Sequence, residues 1–343
     1  MRKLATIRRI EALDPIPNAD AIELATVDGW KVVAQKGLYR VGDPVLYLEI
    51  DSWVPTELAP FLSKGKEPRV FEGIQGERLR TIKLRGQLSQ GLLIPLEIKM
   101  SGNCLPITRR CVQVGEDVSE ELNVVKWEKP INAQLAGVCK GNFPSLIPKT
   151  DQERVQNLNK EIGAAFEKGL LFELTEKLEG SSMTVYQIKG EFGVCSRNMD
   201  LKETEGNAFW IAARKDGIQE KMAAVDEFWD FAIQGELIGP GIQGNIYKLK
   251  DVEFRVFDVY NIQSGEYLKP EPRRALIERM GLKHVPVITV GKDLGTGTID
   301  ELLGWAEGHS VLGETEREGI VFKQEDGGMT FKAISNKYLL GEK

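Results

Sequence analysis

Short alternating runs dominate the first hundred residues. "AIELATV" sets Ile22 and Leu24 on one side of an extended chain, and "GWKVVAQ", "DPVLYLEI", "GERLRTIKLRG" and "GLLIPL" follow as further short apolar or alternating runs. Turn residues separate them: Asp28-Gly29, Gly37, Gly42-Asp43, Gly76 and Gly86. About five short strands with glycine-rich turns predict a small β-barrel.

Further along, the period becomes helical. Val155, Leu158 and Ile162 recur at helical spacing, and Thr150 with Glu153 fits a capping box, so a helix is expected from "KTDQERVQNLNKEIGAAF". Beyond residue 170, strands and helices mix. "LFELTEKLEG", "SMTVYQIKG" and "EFGVCSRN" read as one antiparallel set. Ile218, Met222, Val225 and Trp229 mark a helix, and "FAIQGELIG" and "EFRVFDVY" read as strands. "RRALIERMG" reads as a helix with a glycine C-cap, and Thr298 with Glu301 caps another. "EGIVFKQ" and "GMTFKAIS" close the chain as strands. The expected class is α+β, with a β-barrel domain in residues 1–125 and a larger domain of antiparallel sheets and flanking helices in 126–343.

Composition narrows the chemistry. The 343 residues are 42% hydrophobic and 28% charged, as in a chain with proper cores. No apolar run approaches the ~18 residues that span a membrane, and "MRKLATIRRIEAL" lacks the apolar core of a secretion signal, so a cytoplasmic protein without a membrane partner is expected. Cys104, Cys111, Cys139 and Cys195 form no CxxC pair, and His284 and His309 sit in no catalytic motif. Free thiols are expected, without a zinc site or a Ser-His-Asp triad. The net charge of −6 argues against nonspecific coating of nucleic acid. Residues 60–91 nevertheless hold seven basic residues against three acidic ones (Lys64, Lys66, Arg69, Arg78, Arg80, Lys83 and Arg85), which is either a solvated strand face or a nucleic-acid groove.

In "EKLEGSSMTVY", Lys177 and Glu179 share a face of an extended strand, and Gly180 permits a turn or a close approach. A lysine attacks as the free amine, which burial or neighbouring cations favour. Alone, K-x-x-G is a weak signal, since most such tetrapeptides are surface strands. Other segments add Arg197 and Asn198 ("SRN"), Glu236 ("GELIGPGIQGN"), Phe257 beside Asp258 ("FRVFDVY"), Glu318 and Lys323 ("EGIVFK"), and Lys332 with Lys337 ("FKAISNK"). Carboxylates suit Mg²⁺, which often bridges phosphate oxygens, the cations suit phosphate, and an aromatic face suits a purine. No G-x-x-x-x-G-K-[ST] run is present, which disfavours Walker-type ATP hydrolysis.

"KLEG", "SRN", "GELIG", "VFD", "EGIVFK" and "FK" in this order resemble the covalent nucleotidyltransferase superfamily of ATP-dependent ligases and capping enzymes. "KLEGSS", "GELIGPGIQGN" and "PKTDQERVQN" resemble its RNA ligases. The first domain resembles OB-type tRNA-binding modules, and an OB domain ahead of the catalytic one resembles the Deinococcus-type nick-sealing RNA ligases. The chain ends about ten residues past Lys332, so no trailing OB domain is expected.

The resemblance implies an OB-fold domain for binding nucleic acid, followed by an adenylyltransferase domain. It implies joining of 3′-OH and 5′-phosphate ends of RNA, or of a nicked duplex containing RNA, by a monomer. ATP would be the substrate and AMP the covalent group, with Mg²⁺ or Mn²⁺. Lys177 matches the nucleophile, and Lys323 and Lys332 match lysines that contact the α-phosphate. Glu236 and Glu318 match carboxylates that hold the metal, and Glu179 lies close enough to join them. Arg197, with Asn198 beside it, matches a ribose or 5′-phosphate contact, Phe257 matches the ring that stacks on adenine, Glu176 a reader of adenine through its backbone or side chain, and Arg154 a contact to the outgoing phosphates. Lys337 lies further off than the K-x-K spacing of some RNA ligases. GTP-dependent capping, or a non-catalytic OB-fold RNA binder, are the alternative readings. In "EGIVFK", the spacing sets Glu318 and Lys323 on opposite faces of a regular strand, so either a bulge intervenes or one acts from the strand end.

Overall fold

A computed structural model describes residues 3–96, 99–100, 103–104, 112–127, 137–225 and 229–341. Cys111 lies outside them, whereas Cys139 and Cys195 are free thiols. The chain divides into two compact units, Met1–Pro130 and Ile131–Lys343.

The first unit is built of short antiparallel ladders. Ile22–Val27 pairs with Trp30–Gln35 through Asp28 and Gly29, whose φ angles of 46° and 77° make the left-handed turn that suits a two-residue hairpin. A strand not expected from the pattern, Ala5–Arg9, pairs with Pro44–Leu48, which pairs in turn with Leu92–Pro95. Its two arginines break the apolar alternation that marks the other strands. Arg8 is in fact buried, held by Asp28 at 3.0 Å and lying 4.8 Å from the Tyr47 ring centre. Of the basic residues in 60–91, Arg69 pairs with Glu77 and lies over Trp53, and Arg78 pairs with Asp51 at 2.5 Å and lies 3.8 Å from the centre of Trp127. Lys83 and Arg85 lie exposed in a small hairpin, Ile82–Leu84 with Gln87–Ser89.

The second unit holds two sheets. Seven strands run in the order Cys139–Asn142, Met199–Leu201, Glu191–Ser196, Ser181–Ile188, Phe231–Ile238, Glu253–Asn261, Glu266–Tyr267. Five run in the order Glu153–Arg154, Thr330–Ile334, Gly319–Gln324, Phe172–Lys177, Val287–Lys292. The expected single antiparallel set is therefore split. Phe172–Lys177 belongs to the five-stranded sheet, and its two presumed partners belong to the other. The chain crosses between sheets at Leu178-Glu179-Gly180. Two antiparallel sheets carry the same alternation, so the pattern alone does not separate them.

The expected helix at Thr150 is also corrected. It begins only at Asn159 and ends at Glu167. Glu153–Arg154 instead forms a parallel bridge to Phe331–Lys332, and the Thr150 hydroxyl lies 3.0 Å from that of Ser182. Pairing with a distant strand outweighs the local cap. The helix Ile218–Val225 stops short of Trp229, which stacks on Phe231 with ring centres 4.1 Å apart. The cap at Thr298 forms, its hydroxyl accepting the Glu301 N–H at 3.4 Å.

Each sheet packs its main apolar face under helices. On the five-stranded sheet, Phe172, Leu174, Ile320, Phe322, Phe331 and Ala333 pack under the helices Asn159–Glu167 and Ile299–Ala306. Phe322 and Phe331 stack at 4.6 Å. Burial of such a side chain is worth about 1.5–3 kcal/mol. On the seven-stranded sheet, Met183, Val185, Ile233, Leu237, Phe254 and Val256 pack against Trp210, Met222, Leu276 and Ile277. Alternation turns the charged side chains to the opposite faces; on the seven-stranded sheet that face also holds a smaller cluster of Tyr186, Cys195 and Ala232.

Candidate active site

Ladder register gathers the cations. Lys177 pairs with Gly319, Thr175 with Val321 and Glu173 with Lys323 across one pair of strands. Val321 pairs with Lys332, and Lys332 with Arg154, across the next two. Cross-strand partners share a face, so Lys177, Lys323, Lys332 and Arg154 all lie on the polar side.

Lys177 is the last residue of its strand, and its Nζ lies 2.5 Å from Oε1 of Glu318. The strand after Glu318 begins at Gly319, and its register has no bulge. Glu318 therefore acts from the strand end, which resolves the spacing between it and Lys323. Only glycine fits at 319, because a Cβ there would lie 2.1 Å from the Ala333 carbonyl oxygen.

Glu236 faces this pair from the other sheet, where it is the register partner of Ser182. Burial pushes its carboxyl up to about 8; the charge of Glu318 adds to the shift, and Lys177 and Arg197 oppose it. Gly180 makes the crossing tight: a Cβ there would lie 2.4 Å from the Leu237 carbonyl oxygen and 2.8 Å from Cγ of Glu236. The strand ends before Glu179, so simple alternation does not govern that residue. Its N–H donates to the Tyr247 hydroxyl at 2.7 Å, and its Oε2 accepts from the Tyr338 hydroxyl at 2.8 Å.

Lys323 and Phe257 meet further into the cleft. Lys323 Nζ donates to the Phe257 carbonyl at 2.7 Å and to Oδ1 of Asp258, and it lies 5.7 Å from the Phe257 ring centre. Burial pushes the Lys323 amine down to about 8, opposed by Asp258. A bulge makes this meeting possible. Gln234 pairs with Asp258 and Gly235 with Val256, so Phe257 is the extra residue and the alternation shifts by one. Behind Asp258 lies a buried ion network. Arg273 and Arg274 both bond to Glu173, and Arg273 Nη1 lies 3.8 Å from Asp258 Oδ1.

Other expected residues have partners of their own. Glu176 is buried facing away from the cleft, its carboxylate bonded to the Ser310 hydroxyl at 2.5 Å and the Val311 N–H at 2.9 Å. Its own N–H goes to the Pro286 carbonyl. Arg197 pairs with Asp151 at 2.7 Å, and Asn198 Oδ1 accepts from Lys149 at 2.9 Å. Lys337 pairs with Glu307 at 3.2 Å. Sequence reasoning missed Tyr247, Tyr338 and Arg273. Asp258 carried a weak signal as an acid beside an aromatic.

The donor set suits a divalent cation. Glu236 is a desolvated carboxylate that makes no hydrogen bond to a described residue, facing a second carboxylate held by a lysine. Among the described residues no three His, Cys, Asp or Glu side chains form a ready cage. An open set of carboxylates fits a cation that keeps waters and shares substrate phosphates.

Comparison with known proteins follows the same lines. A family model described as RNA ligase matches residues 171–338, and an OB-fold domain model matches residues 4–96. Among solved structures, Naegleria gruberi RNA ligase with PPi is 44% identical, with coverage of 100% of this chain and 99% of that one and a TM-score of 0.84. A mutant of that enzyme with ATP and Mn is 44% identical, with 99% of each chain covered and a TM-score of 0.84. Another with AMP and Mn is also 44% identical over 99% of each chain, with a TM-score of 0.85. No curated protein matches the chain.

Proposed function

Because this chain belongs to the RNA ligase family, we propose that it joins 3′-OH and 5′-phosphate ends of RNA, at nicks in duplexes, through AMP carried on Lys177. The observation that carries the reading is the pairing of Lys177 with Glu318 at 2.5 Å, where the two sheets meet and Glu236 faces the pair. ATP is the nucleotide, by analogy with the Naegleria gruberi structures with ATP or AMP and Mn.

In the first step the free amine of Lys177 attacks the α-phosphorus of ATP. A P–N bond forms, the bond from that phosphorus to the bridging oxygen breaks, and pyrophosphate leaves with the electron pair. Glu318 aims the lysine beforehand by holding its ammonium, which must lose a proton before attack. Lys332 and Arg154, neighbours in register, supply positive charge for the transferred and departing phosphates. Phe257, fixed by the bulge and Lys323, offers its ring to the adenine. Glu236, Glu318 and Glu179 are suited to hold a divalent cation, whose charge would neutralise phosphate and disfavour an adjacent ammonium.

In the second step an oxygen of the RNA 5′-phosphate attacks the same phosphorus, the P–N bond breaks, and the amine is restored. In the third, the 3′-OH attacks the adenylylated 5′-phosphate, its proton is lost, and AMP departs. In the first unit, the exposed Lys83–Arg85 hairpin and the exposed Arg69 are suited to RNA phosphates. Incubation with α-labelled ATP and manganese tests the reading. The wild type should carry AMP on Lys177 and seal a nicked RNA duplex. Equal labelling of Lys177→Ala would refute the covalent assignment.

A further inference from the structure

The turn that follows the strand Thr330–Ile334 ties together two segments bearing the carboxylates assigned to the cation. Ser335 is fully buried, and its N–H donates to the carbonyl of Glu318 at 2.9 Å. Its hydroxyl caps the short helix Asn336–Leu340, accepting the Tyr338 N–H at 3.2 Å. The Tyr338 hydroxyl then donates to Oε2 of Glu179 at 2.8 Å. One turn of chain thus holds the backbone of one carboxylate residue and the side chain of another.

Glu179 needs such a tie. It lies between the sheets, where no ladder fixes it, and its backbone N–H is held by the Tyr247 hydroxyl. A glutamate side chain loses considerable rotamer freedom when held in one orientation, and an unrestrained one is a weak ligand for a cation. A single donor on Oε2 sets the carboxylate plane while Oε1 stays beside Gly244, without a hydrogen bond to a described residue.

We propose that Tyr338 is a positioning residue whose hydroxyl orients Glu179 toward the divalent cation. The inference rests on the assignment of Glu179, Glu236 and Glu318 to that cation. Residues that hold a ligand in place are ones whose loss weakens metal affinity without touching the metal.

The test is Tyr338→Phe, which keeps the ring and removes one donor. Mn²⁺ binding is read by electron paramagnetic resonance with the α,β-methylene analogue of ATP, which cannot transfer AMP. The variant should bind Mn²⁺ about three- to tenfold more weakly, the scale of one lost hydrogen bond. Half-saturating manganese for labelling Lys177 should rise by more than the saturated rate falls. In a Glu179→Gln background the further change Tyr338→Phe should have no added effect on Mn²⁺ binding. Unchanged Mn²⁺ affinity, or the same added loss in both backgrounds, would overturn the proposal. A wild type without manganese-dependent AMP on Lys177 would instead sink the function reading itself. Should Tyr338→Phe melt early, Ser335→Ala separates the roles: it loosens the turn but leaves the hydroxyl on Glu179, so a drop in Mn²⁺ affinity confined to Tyr338→Phe supports positioning, and equal drops refute it.

Discussion

Asp258 is the joint between the two sheets, and Asp258→Asn tests that joint quantitatively. Lys323 is 4% exposed, and its amine stands at about 8 even with Asp258 beside it. Removing Asp258 removes the carboxylate that favours the ammonium, so Lys323 gives up its proton near neutrality. The added cost falls as the pH rises toward the wild-type value of about 8: it is on the order of 1 kcal/mol at pH 7, at least as large at pH 6, and smaller at pH 9, where both proteins hold a neutral amine and only the contact with Arg273 is lost. The sign follows from linkage. A lysine lowered from 10.5 to about 8 binds fewer protons folded than unfolded in that window, so wild-type stability rises with pH there. In the variant this window extends to lower pH. Urea unfolding followed by circular dichroism at pH 6, 7 and 9, against wild type at each pH, measures the difference. A loss of equal size at pH 6 and pH 9 would show that Asp258 acts by packing alone.

Gly319→Ala places a Cβ 2.1 Å from the Ala333 carbonyl, so it should part the strands that position Glu318 and cut AMP labelling of Lys177 by roughly tenfold or more; normal labelling would mean that the site tolerates the shift. His284 is held down to about 3 by burial and then by Arg273. The folded ring stays neutral while the unfolded chain takes up a proton below 6.5, so stability falls as pH drops from 6.5 toward 3, by about 2 kcal/mol at pH 5. His284→Asn should flatten this slope in urea unfolding between pH 7 and 5, and an unchanged slope refutes the cause. Phe257→Ala should raise the KM for ATP in the labelling step by roughly fivefold or more while leaving the bond from Lys323 to the 257 carbonyl available; an unchanged KM would mean that the ring only fills core.

The parts of the site that were legible in the sequence are those whose chemistry needs a particular side chain at a particular point in the chain. Lys177, Glu236 and Glu318 each carry charge into a strand end or a cleft, where apolar packing would otherwise be expected, and the structure brings these three together. Glu176 shows the limit of that reasoning. It lies one residue from Lys177, so alternation turns it to the opposite face, where Ser310 and Val311 bond it. The leading strand Ala5–Arg9 was hidden because its burial of Arg8 depends on Asp28, a partner that no local pattern announces.

The Phe257 bulge marks a deeper boundary. Strict alternation from Phe254 and Val256, both in the core, sends Asp258 into the core as well. Inserting Phe257 opposite no partner returns Val259 to the core and leaves both Phe257 and Asp258 on the cleft side. Nothing in "FRVFDVY" distinguishes these outcomes, because the bulge is decided by what each side chain meets across the cleft. Asp258 meets Lys323 and Arg273, and Lys323 left buried without a carboxylate would cost more than one broken ladder step. The same logic governs Tyr338: its hydroxyl has meaning only because the chain crosses between sheets at Glu179. Strands can be read from a chain one at a time, but the groups that make this site work are fixed by pairs of strands from different sheets. The sequence therefore yields Lys177, Glu236 and Glu318 before it yields Tyr338, which bonds Glu179, and Asp258, which bonds Lys323.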